Sequence, residues 1–322
     1  MEVFLTSPWI PAEWVRAHGL QPRGIWSAKR FRPGSSSLSA GVCAFSEAAV
    51  QFSEAAADSA VIFSTACDQM RRGCDAAIFH KQERAFLFNL PATWQTAAAR
   101  QIFRSELERL GQFLLTIGGH APLPEMLRQE LLHSEGMRKR LSEDAPVSSA
   151  RGFAEAVARF HWDGAYSPPL ARAQDKHVPI ALVGGPFLAP HWKLLDVIEA
   201  AGGRVDLNAT EFGERSLPPA FEFGAGANQP FEVLAQGYCD NMVDVFQRPN
   251  TRLYSWLESR LKSRQARGIV LWHFTGCDLW RAEAQSLREA FGLPLLMLEA
   301  GEEPGVAQRL NNRVEAFVET LK

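Results

Sequence analysis

A chain of 322 residues with 46% hydrophobic and 22% charged side chains has the composition of a globular protein, and it is too long for one ordinary core. Its formal net charge of −2 gives no overall attraction to nucleic acid or an anionic membrane. No run approaches the ~18–20 apolar residues of a membrane helix, so neither kind of partner is expected.

The opening MEVFLTSPWIPAEW lacks the basic and then apolar layout of a secretory signal, so a cytoplasmic, reducing location is expected. There the five cysteines read as metal-binding or catalytic groups before structural bridges. Residues 2–7 (EVFLTS) predict a short buried strand, and 11–18 (PAEWVRAH) a helix opened by Pro11. Residues 29–41 (KRFRPGSSSLSAG) form a basic, glycine- and serine-rich stretch, either a solvated loop or an anion-contacting one. It leads to Cys43, which opens the helix-like GVCAFSEAAVQF. An apolar strand at 60–63 is followed by a small-residue turn and an amphipathic helix. Another strand spans 84–91, and a long helix with apolar positions at 3.6-residue spacing spans 93–117.

Residues 137–177, charged and punctuated by Pro and Ser, read as helical connectors and a linker. The expected division is an N-terminal α/β domain over 1–150 and a C-terminal α/β domain with a helical connector over 151–322. The second half repeats the pattern: strand 178–185, helix 190–203, strand 204–209, strand and turn 267–278, helix 278–292, strand 293–300 and helix 305–321. Strands apolar throughout and alternating with helices predict parallel sheets covered on both faces.

One heptapeptide pattern, Thr-x-Cys-Asp-x-x-Arg, occurs twice: TACDQMR at 65–71 and TGCDLWR at 275–281. Both copies lie where an apolar strand turns into a helix, the edge at which open α/β sheets bind ligands. A cysteine at a helix N-terminus is expected to have its pKa lowered by the helix dipole and free N–H groups, which suits a thiolate ligand. The aspartate that follows is expected to start the helix and pair with an arginine one turn on. Cys43 holds a similar position. Cys74 lies seven residues after Cys67, about 10.5 Å along a helix axis and beyond the ~7 Å limit for a disulfide, so it reads as a packing residue. Cys239 reads as a small buried hydrophobe, and His273 as a satisfied strand-end histidine. Gly184 and Gly185, in LVGGPFLAPHW, either expose backbone N–H groups to a phosphate or thioester carbonyl or merely make a tight turn. No CxxC, HExxH, P-loop, complete dinucleotide fingerprint or GxSxG elbow occurs. On these residues alone, a metal at the paired turns and a metal-free relic of duplication both stand.

The stretches SPWIPAEWVRAHGLQP, CAFS, CDQMRR, FNLP, ALVGGPFLAPHWKLLDVIEAAGGRV and CDLWRAEAQSLREAFGLPLLMLEAGEEPGVAQRLNNRVEAFVETL resemble the iron-sulfur subunits of the 2-hydroxyacyl-CoA dehydratase and benzoyl-CoA reductase family. The resemblance implies two flavodoxin-like α/β domains with an iron-sulfur cluster, 4Fe-4S in kind, in the cleft between them. By motif its protein ligands are Cys43, Cys67 and Cys277. It also implies a related second subunit, an ATP-hydrolysing activator that delivers a low-potential electron, and a CoA thioester substrate. A noncatalytic cluster carrier is the alternative. The chain is shorter than typical members and carries AGEE where the family has an acidic residue after LE.

Overall fold

The computed structural model describes residues 1–28, 43–56, 58–173, 176–221, 223, 229–300 and 306–322. The basic stretch 29–41 lies outside the described residues, as does most of 224–229. In chain order the first half contains β1 (Glu2–Leu5), α1 (Ala12–Ala17), β2 (Gln21–Gly24), α2 (Ala44–Ala55), β3 (Ala60–Ser64), α3 (Asp68–Lys81), β4 (Ala85–Phe88), α4 (Ala97–Thr116), α5 (Pro124–Asp144) and α6 (Ala150–Asp163). The second contains β5 (Val178–Gly184), α7 (Lys193–Ala200), β6 (Gly203–Thr210), α8 (Pro230–Asn241), α9 (Thr251–Ser263), β7 (Gly268–Phe274), α10 (Asp278–Phe291), β8 (Leu295–Ala300) and α11 (Val306–Leu321).

These strands build two four-stranded sheets, β2-β1-β3-β4 and β6-β5-β7-β8, and every pairing is parallel. The fold is α/β as expected. In both sheets the strands run second-first-third-fourth, the order of the first four strands of a flavodoxin-like sheet. The central strands are apolar because both faces are covered: every residue of β3 and β7 is buried. β2, with Pro22 and Gly24, was not expected as a strand. It is an edge strand, where a proline costs no ladder hydrogen bond.

Caps set several helix ends. Thr96 Oγ1 accepts the Ala99 N–H at 3.1 Å to start α4, and Ser149 Oγ accepts that of Gly152 at 3.1 Å to start α6. Gly164 and Gly292 end α6 and α10 in the left-handed conformation. Among the described residues no helix is long and apolar enough to cross a membrane.

The carboxyl ends of the two sheets are turned toward each other. Trp26, after β2, stacks on Phe212, after β6, with ring centres 4.2 Å apart. Phe45 of α2 packs against Phe212 and Phe274 at 5.7 and 6.3 Å. Leu188, Phe212 and Phe274 therefore belong to the same hydrophobic cluster as the first sheet. The helix α8 also crosses between halves, packing on α4 and α5, and Tyr238 donates to Glu13 Oε2 at 2.8 Å.

Candidate functional site

Cys67 follows the third strand of the first sheet and Cys277 the third strand of the second, so the two heptapeptides occupy equivalent turns. Their threonines act alike. Thr65 Oγ1 accepts the Leu90 N–H at 2.8 Å, fixing the end of β3 to the exit of β4, and Thr275 donates to the Ala300 carbonyl at the end of β8 at 3.5 Å. The Cys67 and Cys277 carbonyls accept the Arg71 and Arg281 N–H groups and so open α3 and α10. The aspartates and arginines pair as expected, Asp68 with Arg71 at 3.6 Å and Asp278 with Arg281 at 3.1 Å, both in solvent and of little energetic weight.

Cys43 caps α2, and its N–H donates to Gln69 Oε1 at 3.0 Å, which ties it to the helix that Cys67 starts. The serine of CAFS, Ser46, donates to the Gln69 carbonyl at 2.6 Å. Gly73 permits this approach, since a Cβ there would lie 2.5 Å from Ser46 Oγ. On the other side, a Cβ on Gly276 would lie 4.0 Å from the Cys43 Cα, and one on Gly185 4.0 Å from Cys277 Sγ. The structure thus gathers Cys43, Cys67 and Cys277 at one place, within electrostatic reach of one another. It leaves out Cys74 and Cys239, which are buried in the core with free thiols.

The thiols do not titrate as their helix positions suggest. Burial pushes Cys67 and Cys277 up to about 12, and the neighbouring thiols and Glu211 push in the same direction. Burial raises Cys43 as well. First-turn N–H groups of Met70, Trp280 and Phe45 favour the thiolates but are outweighed. The expected lowering is therefore overturned: helix geometry is visible locally, whereas desolvation in the cleft is a tertiary effect that here wins.

Glu211 is a site residue that the sequence reading missed. It follows β6, accepts from Ser7 across the cleft at 3.4 Å, and bears on all three thiols. Burial, with the nearby Asp244 charge, pushes its carboxyl up to about 8 against the pull of Arg215 and Ser7, so it is mostly protonated at neutral pH. The available signal was three ionisable side chains, Glu211, Glu214 and Arg215, within five residues of a strand end.

Gly185 shapes the site by space rather than by offering a donor. The Gly185 N–H is spent on the Trp272 carbonyl at 3.1 Å, as in the tight-turn alternative, and the Gly184 carbonyl accepts from Arg215 Nη2 at 2.7 Å. His273 is satisfied only at Nδ1, which meets the Phe274 carbonyl at 3.0 Å; its buried Nε2 has no partner among the described residues.

Among the described residues no three His, Cys, Asp or Glu side chains close on a single ion-sized point. Ligands of a multi-iron cluster each bind a different iron and stand further apart than ligands that share one ion. Three neutral thiols at helix starts, with no cation among the described groups that bear on them most, fit such a group, whose positive charge would replace their protons.

No curated protein sequence matches the chain. Two solved structures align with it end to end: a laminin-binding protein, Lbp, of Streptococcus pyogenes (11% identity, TM-score 0.22, 100% of this chain and 99% of that one), and a mutant laminin-binding adhesin, Lmb, from Streptococcus agalactiae (10% identity, TM-score 0.22, 100% of both). Similarity at that level carries no argument about this chain. The profile of one family, by contrast, matches residues 9–321, from before α1 to the last residue of α11. The chain belongs to the 2-hydroxyglutaryl-CoA dehydratase D-component family.

Proposed function

We propose that the protein is the iron-sulfur subunit of an enzyme that reductively activates a CoA thioester, with Cys43, Cys67 and Cys277 as the protein ligands of a 4Fe-4S cluster in the cleft between the sheets. The observation that carries this reading is the gathering of three cysteines from turns in both halves of the chain, each at a helix start. When bound, the cluster supplies one-electron reduction at low potential, with a coordination position left open by the three-thiolate set.

The chain's own residues place and shelter that chemistry. Gln69 and Ser46 hold the two first-half cysteines together. Trp26, Phe45, Phe212 and Phe274 line the approach of the two sheets with apolar surface and exclude water. Glu211, neutral at physiological pH, adds no charge against the thiolates and holds a proton on its carboxyl within the cleft. Gly185 leaves the space beside Cys277 open. Family membership further supports a related second subunit and an ATP-hydrolysing activator as partners.

The test is turnover by the anaerobic protein with its second subunit, the activator, ATP and a reductant across a panel of CoA esters. Dehydration of a 2-hydroxyacyl-CoA or reduction of an aryl-CoA is expected, and each CoA substrate should perturb the cluster's electron-spin resonance spectrum. An iron-loaded protein that responds to no CoA ester would be a cluster carrier, and the enzymatic reading would fail.

A further inference from the structure

Behind Ser7, between α1, α5, α6 and α8, lies a small cavity of about 20 Å³, above the ~10–15 Å³ that one water requires. Its wall includes Glu13, Arg16, Trp26, Arg138, His161 and Tyr238. Arg138 is 3% exposed and Trp26 5% exposed. Three buried N–H groups on these two wall residues have no hydrogen-bond partner among the described residues: Arg138 Nε, Arg138 Nη2 and Trp26 Nε1. An unmet buried donor costs about 1–3 kcal/mol, and more when charged, so three on two residues that line one cavity are the mark of a missing acceptor.

The rest of the wall offers them little. Glu13 spends Oε1 on Arg138 Nη1 and Oε2 on the Tyr238 hydroxyl. Ser216 Oγ donates to the Gly213 carbonyl at 2.7 Å, so its contact with His161 Nε2 at 2.9 Å makes that nitrogen a donor. Within the wall itself cations outnumber anions by one, and the balancing charge lies outside it. Arg138 and Arg16 are cations, and Glu13 is their one anion within the wall; Arg16 is also met from outside by Glu130 at 2.8 Å. Burial pushes the Glu13 carboxyl up, but Arg138 and Arg16 hold it below its ordinary value, so it stays ionised. Burial drives His161 down to about 3, so it stays neutral.

We propose that this cavity is a binding site for one monatomic anion, chloride under ordinary conditions, held by Arg138 Nε and Nη2 and Trp26 Nε1. Water fits less well: its two lone pairs cannot receive three donors, whereas a halide accepts from any direction. The bound anion joins α5 to the turn after β2, beside the Trp26–Phe212 stack that links the two sheets. The proposal is independent of the cluster.

The test uses the full chain. Crystals soaked in bromide should show one anomalous peak in this cavity, and the thermal midpoint should rise saturably with chloride but not with gluconate at equal ionic strength. Trp26→Phe keeps a ring against Phe212 and removes one donor; it should weaken chloride binding about tenfold, from the loss of one charge-assisted hydrogen bond. Density without anomalous signal, midpoints that rise equally in both salts, or unchanged chloride affinity in Trp26→Phe would each overturn it.

Discussion

Gly184→Ala is expected to abolish the native fold of the second half of the chain. Gly184 ends β5 at φ +144°, a conformation that L side chains rarely adopt, and an added Cβ would lie 1.9 Å from the Trp272 carbonyl oxygen of β7. That oxygen is backbone and already accepts the Gly185 N–H, so no rotamer can relieve the overlap. β5 would have to leave β7, its partner at the centre of the sheet. The cost should exceed about 4–5 kcal/mol, the exceptional end of single substitutions. Gly185→Ala is the control: its Cβ would meet the Trp280 side chain at 3.3 Å, an overpacking cost of about 1–3 kcal/mol. Urea unfolding followed by tryptophan fluorescence separates the two, and a Gly184→Ala protein with wild-type midpoint would contradict the strand geometry.

Arg215→Met should cost about 3–5 kcal/mol, because it breaks a buried ion pair from one side only. The guanidinium, 1% exposed, donates to Asp244 at 2.7 Å, to the Ala209 and Gly184 carbonyls at 2.8 and 2.7 Å, and to the Val243 carbonyl at 3.3 Å. It also lies 4.7 Å from the centre of the Trp280 ring in α10. One side chain therefore fixes the exits of β5 and β6 to the helix that begins at Cys277. Methionine fills much of the volume but leaves Asp244 and the carbonyls without a donor. Adding Asp244→Asn should recover part of the loss, since an amide does not bury a charge. A urea midpoint unchanged by Arg215→Met at constant slope would show that the network carries no stability.

Much of this architecture is legible in the sequence because its central strands are covered on both faces and so are apolar without interruption. β1, β3, β5 and β7 could be read directly from that pattern. β2 could not, because QPRG has the composition of a turn and becomes a strand only through its place at the edge of β1. The three cysteines were legible from a repeated heptapeptide and a turn onto a helix. The direction of their titration was not, because it depends on how deeply the two halves bury one another. Nor were the buried pair Arg138–Glu13, 125 residues apart, and the Ser7–Glu211 contact, 204 apart, since no local pattern announces a partner at such separations. The same tertiary dependence explains why Gly185, suggestive of an anion-binding turn, spends its N–H on β7.

The most direct test of the central claim is iron and sulfide content, with an electron-spin resonance spectrum, after anaerobic reconstitution of the wild-type chain and of C43S, C67S, C277S and C74S. The wild type and C74S should bind about four irons per chain and turn brown. Each of the other three should lose most of that iron, because its cysteine is one of the three thiolates proposed to hold the cluster. A colourless wild-type protein without iron, or a C67S protein that retains the full cluster, would contradict the account.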